Sequence, residues 1–441
     1  MKIVAKVGEA LQRLFGEVAT NAAEQSQVIQ RTRKFNPMSM AKTFILGFLQ
    51  NPEASVEDLA QVAAQCGAAV TPQAVDQRHT QRLVNFLEGM FSGATQFVVG
   101  AKQSLAPILD RFTSVFAIDS STIALPDDMQ DQYRGCGGSH GGGAAAMKLQ
   151  TELDLRTGDL SCVKIEEGRS PDGKSSRQHV RRGPGSLRIS DLGYFSLAVF
   201  AAMMAADEYF LSRLYFGTHV WHEGLRVDVL PWLAKQTGPF VDVSVLLGAE
   251  EQLPCRLIAW RLPPEQANRR RQKLRKEMKS KNGREPTAER LAWCDWTILV
   301  TNVPPEMLTP PEAAVLYRAR WQIELLFKRW KSLGLIAQLS GSTTTRQMVR
   351  LWARLTAVVI QHWLTVSTIC GDATRSLHKV YKAVRKFVGR LVKALDNAEQ
   401  LETLLDDMRQ TVAKTCRRNK RSKPGTYEML NDISLLDFRL T

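Results

Sequence analysis

The sequence predicts a mixed α/β fold, with a strand-rich centre between helical N- and C-terminal regions, from three observations. Two short apolar runs, Val115-Phe-Ala-Ile-Asp119 and Leu187-Arg-Ile-Ser-Asp191, each end in an acid, the way a buried strand delivers a carboxylate to the edge of a sheet. Strand patterns return between Thr218 and Thr309, at Val241 to Leu247, Cys255 to Leu262 and Trp296 to Val303. Helical periodicity holds ahead of about residue 105 and again after Lys331.

The chain has 441 residues, 44% of them hydrophobic, enough for two or three domains with a real core and too much for a largely disordered chain. A net charge of +15 implies a polyanionic partner. Nucleic acid is expected before membrane, because the longest apolar run, Tyr194 to Ala206, is far shorter than the ~20 residues of a bilayer span. The N-terminus carries acids early and has no apolar signal core, so the expected location is the cytoplasm, in association with the nucleoid. Cysteines at 66, 136, 162, 255, 294, 370 and 416 are scattered without a Cys-x-x-Cys pair and read as reduced structural thiols.

In the N-terminal region, Ser55-Val-Glu-Asp58 offers an N-cap and an acidic first turn, and Cys66-Gly67 ends that helix. Thr71-Pro72 starts a second helix expected to run through Ala74, Val75, Arg78, Arg82 and Leu83. The pair fits a helix-turn-helix presenting Gln73, Gln77, Arg78 and Gln81 to a major groove, and equally a plain helical hairpin.

After the Asp119 run comes Gly135-Cys-Gly-Gly-Ser-His-Gly-Gly-Gly143, which lacks Gly-Lys-(Ser or Thr) and is not an ATP loop; it reads as a loop near the rim of the core. Lys148 to Leu155, the turn Arg156-Thr-Gly-Asp159 and Leu160 to Glu166 form a hairpin. Gly193 allows a tight turn after Asp191 before a helix begins in the Tyr194 to Ala206 run. Asn268 to Lys281 is strongly basic, with only Glu277 to offset it, and suits phosphate contact through residues such as Arg270 and Lys273. Trp260, Trp293 and Trp296 lie in or beside the strands, and His219-x-x-His222 has no further pair of soft ligands to make a zinc site.

The most specific pattern is Tyr317-x2-Arg320-x3-Glu324-x6-Lys331. On one continuous helix these side chains fall at ~0°, ~300°, ~340° and ~320°, all on one side, while Leu316, Ile323, Phe327 and Trp330 form an apolar stripe at roughly 220° to 280°. A phenol, a guanidinium and an ammonium around a carboxylate suit a phosphodiester on a cation, with Glu324 on the cation and Arg320 and Lys331 on phosphate oxygens. An ordinary solvated face with i,i+4 ion pairs has the same spacing. Three acids, Asp119, Asp191 and Glu324, can together hold two divalent cations ~3.5–4 Å apart for phosphoryl displacement. Downstream, Leu377, Val380, Val384, Phe387, Leu391 and Leu395 form an apolar stripe beside many cations, readable as a dimerisation or DNA-docking helix, and Lys414 to Lys423 is a basic tail.

Together these residues resemble the DDE transposases of bacterial insertion sequences, within them the insertion-sequence-four family marked by the Tyr-Arg-Glu-Lys helix. The second-acid motif is present as Asp191, Gly193 and Tyr194, and the first as Ile118-Asp119-Ser120-Ser121. The resemblance covers roughly residues 110 to 335. It implies an RNase H-like catalytic core with a β-rich insertion, flanked by helical N- and C-terminal regions. The expected organisation is a DNA-binding region at 1–105, core at 106–217, insertion at 218–309, the helix of the catalytic Glu at 310–340, and a helical region for dimerisation or DNA contact at 341–441. It also implies Asp119, Asp191 and Glu324 as catalytic residues holding Mg²⁺, with Mn²⁺ able to substitute. Tyr317, Arg320 and Lys331 would grip terminal phosphates. The implied partners are double-stranded DNA, both terminal inverted repeats and target, and a second copy of the chain in the synaptic complex. The implied reaction is cut-and-paste transposition, with a DNA hairpin as one route of excision. A metal-dependent nuclease without strand transfer and a silent DNA-binding regulator are the alternatives.

Overall fold

The computed structural model describes the chain except residues 1–2, 32–33, 102–103, 105, 138–142, 370–371, 373, 420–422 and 437–441. The middle of the Gly-rich loop and part of the basic tail therefore lie outside the described residues. The fold is mixed α/β, as the sequence predicts. Its strands are β1 (Val115–Ala124), β2 (Ala146–Asp154), β3 (Leu160–Glu167), β4 (Leu187–Ser190), β5 (Tyr209–Arg213), β6 (Val220–His222), β7 (Leu225–Val227), β8 (Val241–Leu247), β9 (Leu253–Arg261) and β10 (Trp296–Thr301).

The chain divides into two compact units: Met1–Leu105 with Ser120–Ser170 and Gln322–Arg421, and Ala106–Asp119 with Pro171–Trp321 and Ser422–Thr441. The boundary falls within β1, between Asp119 and Ser120.

The first unit is mostly helical. Its spine is the helix Thr344–Ile369, 26 residues with no Gly or Pro, along which Trp352, Leu355, Ile360 and Trp363 are buried. A helix this long is free to be apolar almost all round when other helices cover it. Among the described residues no helix is long and apolar enough to cross a membrane. The N-terminal caps form where the sequence places them: Ser55 and Asp58 make a reciprocal capping box on Val56–Gln65, and the Thr71 side chain accepts from the Ala74 N–H to open Pro72–Asp76. The expected single helix through Leu83 is corrected. It stops at Asp76, and Thr80 caps a new helix, Gln81–Ala94, by accepting from the Leu83 N–H. A capping threonine competes successfully with helix continuation, because its hydroxyl satisfies an otherwise orphaned amide. The β2–β3 hairpin is antiparallel, and the order here is β3-β2-β1, with β1 contributing its C-terminal half. Val380, Val384, Leu391 and Leu395 are buried within the chain, so most of the C-terminal apolar stripe is core.

In the second unit the strand order runs β1-β4-β5-β10-β9-β8-β6-β7. β4 lies parallel to both β1 and β5, and β10 pairs antiparallel with β5 and β9. The parallel β1-β4-β5 set is the RNase H-like part, and β6 to β10 form the β-rich portion. Val199, Phe200, Phe210, Leu233, Leu257, Ile298 and Val300 make its apolar core. The basic run Asn268 to Lys281 lies within one helix, Pro264–Asn282.

Two further expectations are corrected. β1 does not end at Asp119 but continues through Ser120–Ala124, where Thr122 and Ile123 keep favouring strand. The Tyr-Arg-Glu-Lys segment is two helices, Pro310–Ala319 and Trp321–Ser332, with Arg320 at the junction. The Arg320 N–H bonds to the Tyr317 carbonyl at 3.3 Å, a tightened turn that no Gly or Pro announces. Leu316, Ile323, Phe327 and Trp330 are all buried, as the apolar stripe requires.

Candidate active site

Strand register brings two of the three acids together. Ala117 on β1 pairs with Ile189 on β4. Two residues further along each strand direction stand Asp119 and Asp191, at the same level and, by the two-residue repeat of a strand, aimed to the same face. Asp119 pairs with Arg320 and the Asp191 charge reaches Tyr317, so both acids face that pair of side chains. Asp191 sits one residue past β4 and caps the turn Leu192–Tyr194, its Oδ1 accepting the Gly193 N–H at 2.9 Å. A Cβ at Gly193 would stand 3.1 Å from that same Oδ1 and 3.3 Å from Oδ2 of Asp172, so the glycine leaves room for two acids. Asp172 was not singled out from the sequence, because Pro171-Asp-Gly-Lys174 reads as an ordinary turn.

Arg320 faces these acids, its Nη1 3.7 Å from Oδ2 of Asp119, with both side chains largely buried. Its guanidinium also lies 5.9 Å from the centre of the Tyr317 ring. Burial pushes the Tyr317 phenol up; the cations of Arg213 and Arg320 pull it down, and the Asp191 charge adds to the rise. The net direction is upward, so Tyr317 keeps its proton at neutral pH and is able to donate it in a hydrogen bond.

Beside Tyr317 and Arg320 is a cavity of about 340 Å³, into which Arg213, Arg270 and Arg318 also project, with the aromatic surfaces of Trp260 and Trp321 on its wall. Among the described residues no carboxylate lines it. Burial, with the Arg213 charge adding to it, lowers Arg270 to about 10. Arg270 donates to the Trp296 carbonyl at 3.1 Å, which fixes its direction. Several guanidiniums around a small hole suit a phosphate group, whose oxygens accept forked N–H pairs. Arg213, at the end of β5, was not anticipated; a single arginine closing a strand carries no periodic signal.

Glu324 and Lys331 belong to the other unit, both on Trp321–Ser332, with Glu324 in its first turn and half-buried. The Lys331 ammonium donates to the Thr122 carbonyl at 2.9 Å, three residues along β1 from Asp119. Burial lowers its pKa. Among the described residues no three His, Cys, Asp or Glu side chains gather as a metal cage. A paired aspartate on adjacent strands is nevertheless a fitting donor set for Mg²⁺, which binds one or two carboxylates and completes its shell with water and substrate phosphate.

The remaining candidates are dispersed. Gln73 is exposed on the short helix Pro72–Asp76, Gln77 is exposed at its end, and Arg78 lies half-buried beyond it with its guanidinium 5.7 Å from the Phe35 ring centre. Lys273 is exposed and stands 3.7 Å from Glu277. His222 bonds through Nδ1 to the Ser244 carbonyl and packs on Trp232.

A family described as Transposase DDE domain matches residues 110–360. The chain is 26% identical to the transposase for insertion sequence element IS231F of Bacillus thuringiensis subsp. israelensis, covering 95% of this chain and 93% of that protein. It is 24% identical to the transposase for IS1151 of Clostridium perfringens, over 77% and 76% of the two chains. A putative transposase for IS186A of Escherichia coli K12 is 30% identical over 44% of this chain and 54% of its own.

Proposed function

The chain belongs to the DDE transposase domain family, of the insertion-sequence-four type, and from that premise we propose that it moves its element by cut-and-paste transposition. The enzyme cleaves DNA strands and transfers them, by chemistry that in this family uses a divalent metal. The observation carrying the finer reading is the placement of Asp119 on β1 and of Asp191 just past the end of the parallel β4, next to the Tyr317 and Arg320 pair.

In this reading Asp119, Asp191 and Glu324 hold Mg²⁺. When bound, the metal supplies Lewis-acid stabilisation of the phosphodiester and makes water or a 3′-hydroxyl a better nucleophile. Arg320 holds Asp119 until a DNA phosphate arrives, then turns its fork to the phosphate oxygens and leaves the carboxylate for the cation. Tyr317 donates its phenolic proton to a phosphate oxygen, while Arg213, Arg270 and Lys331 balance the charge of the terminal nucleotides. No covalent protein–DNA intermediate is required. The N-terminal helices, through Gln73, Gln77 and Arg78, read the terminal inverted repeats, and two copies of the chain pair the ends. A hairpin on the excised end is compatible with this set of residues.

The test is an end-labelled duplex carrying the element's terminal repeats, incubated with Mg²⁺ and a target plasmid. Transposition yields joined product, lost in Asp119→Asn, Asp191→Asn and Glu324→Gln. Cut ends without joining would establish a nuclease instead.

A further inference from the structure

We propose that the solvent face of the helix Pro264–Asn282 is the surface that grips target DNA, through the phosphate backbone and without regard to sequence; this rests on the transposase reading above. The helix has two faces with separate tasks. Its inner face is fastened: Ala267 is buried, Arg270 donates to the Trp296 carbonyl, Arg271 pairs with Asp295 and bonds to the Leu291 carbonyl at 3.2 Å, and Met278 accepts from Arg290. With its rotation fixed this way, the helix has no freedom to turn its outer row inward.

The outer row is Arg269, Lys273 and Lys276, all exposed and spaced i, i+4, i+7, so they share one side. Arg275 and Lys279 are exposed on the flanks. Among the described residues Lys273 pairs with Glu277 at 3.7 Å, and Arg269, Arg275, Lys276 and Lys279 make no ion pair. A row of roughly 10 Å at 1.5 Å per residue, set against a duplex with one negative charge per ~1.7 Å of axis, always meets several phosphates. Contacts of this kind position a duplex and carry no base information. The duplex a transposase must hold whatever its sequence is the target, whereas the ends demand readout.

The experiment compares wild type with Arg269→Gln/Lys273→Gln/Lys276→Gln and with a charge-matched control, Lys6→Gln/Arg226→Gln/Lys235→Gln. Binding to a duplex of arbitrary sequence is titrated over a range of KCl. The row variant should flatten the slope of log affinity against log salt by about 2 to 3, from the ~0.9 expected per phosphate contact, and the control should leave it as in wild type. In the joining assay the row variant should cut pre-bound ends like wild type and lose target joining by about tenfold or more. An unchanged slope, an equal change in the control, or cutting and joining that fall together would overturn the assignment. The salt titration needs no catalysis, so a wild type that fails to join would sink the transposase reading while the slope still judges the helix.

Discussion

Asp191 and Asp172 are closely framed at Gly193. A methyl at position 193 must push Asp191 or Asp172 aside by a few tenths of an ångström. Since ~1 Å of misplacement costs roughly 10²-fold in rate, Gly193→Ala should lose about tenfold in cleavage, with a thermal melt near that of wild type. Arg320→Lys keeps the charge but not the fork, and should cut much more slowly while binding the repeats as tightly, read by cleavage kinetics beside a binding titration. Far from the chemistry, His362 is buried and bonds through Nε2 to the Gly158 carbonyl at 2.7 Å. Burial drives its pKa down to about 4. Between the ordinary value near 6.5 and that value, the unfolded chain takes up a proton that the folded one refuses, so stability falls as pH drops through this window. Urea unfolding at pH 7 and pH 4.5 should show wild type losing about 2–3 kcal/mol more than His362→Gln.

At the scale of elements, three arginines one turn apart on Thr344–Ile369 fasten the N-terminal helices. Arg346 clamps Asp76 through two bonds, Arg350 lies 5.7 Å from the Phe48 ring centre, and Arg354 donates to the carbonyls of Pro52, Leu335 and Gln338. Arg354 is almost fully buried, so Arg354→Met takes this donor from the Pro52 and Gln338 carbonyls, while Leu335 keeps the Gln338 N–H, and should destabilise by about 3 kcal/mol in denaturant unfolding, well beyond Arg346→Met at a partly exposed site. Elements with local chemistry were legible beforehand. Ser55 and Thr71 announce their helices because capping is decided within four residues, and Val241–Leu247 announces itself by alternation. Asp191 and its turn were legible for the same reason. What escaped depends on distant packing. Nothing local breaks the helix at Arg320, and nothing in a basic run tells that Arg270 turns inward while Lys273 faces water. Arg213 becomes meaningful only once β5 carries it to the cavity wall beside Tyr317.

For the whole molecule, the charge of +15 includes a guanidinium-lined cavity and an outer row on the helix Pro264–Asn282. Affinity for repeat DNA should therefore fall linearly on a logarithmic salt scale, with a slope near −0.9 for each phosphate neutralised. The central claim, that aspartates on neighbouring strands hold the divalent cation, is tested most directly by exchanging hard oxygen for soft sulfur. Asp191→Cys should be inactive with Mg²⁺ and recover cutting and joining with Mn²⁺, which accepts a thiolate more readily, while wild type works with both. An Asp191→Cys protein that cuts and joins in Mg²⁺ as well as wild type would contradict the account.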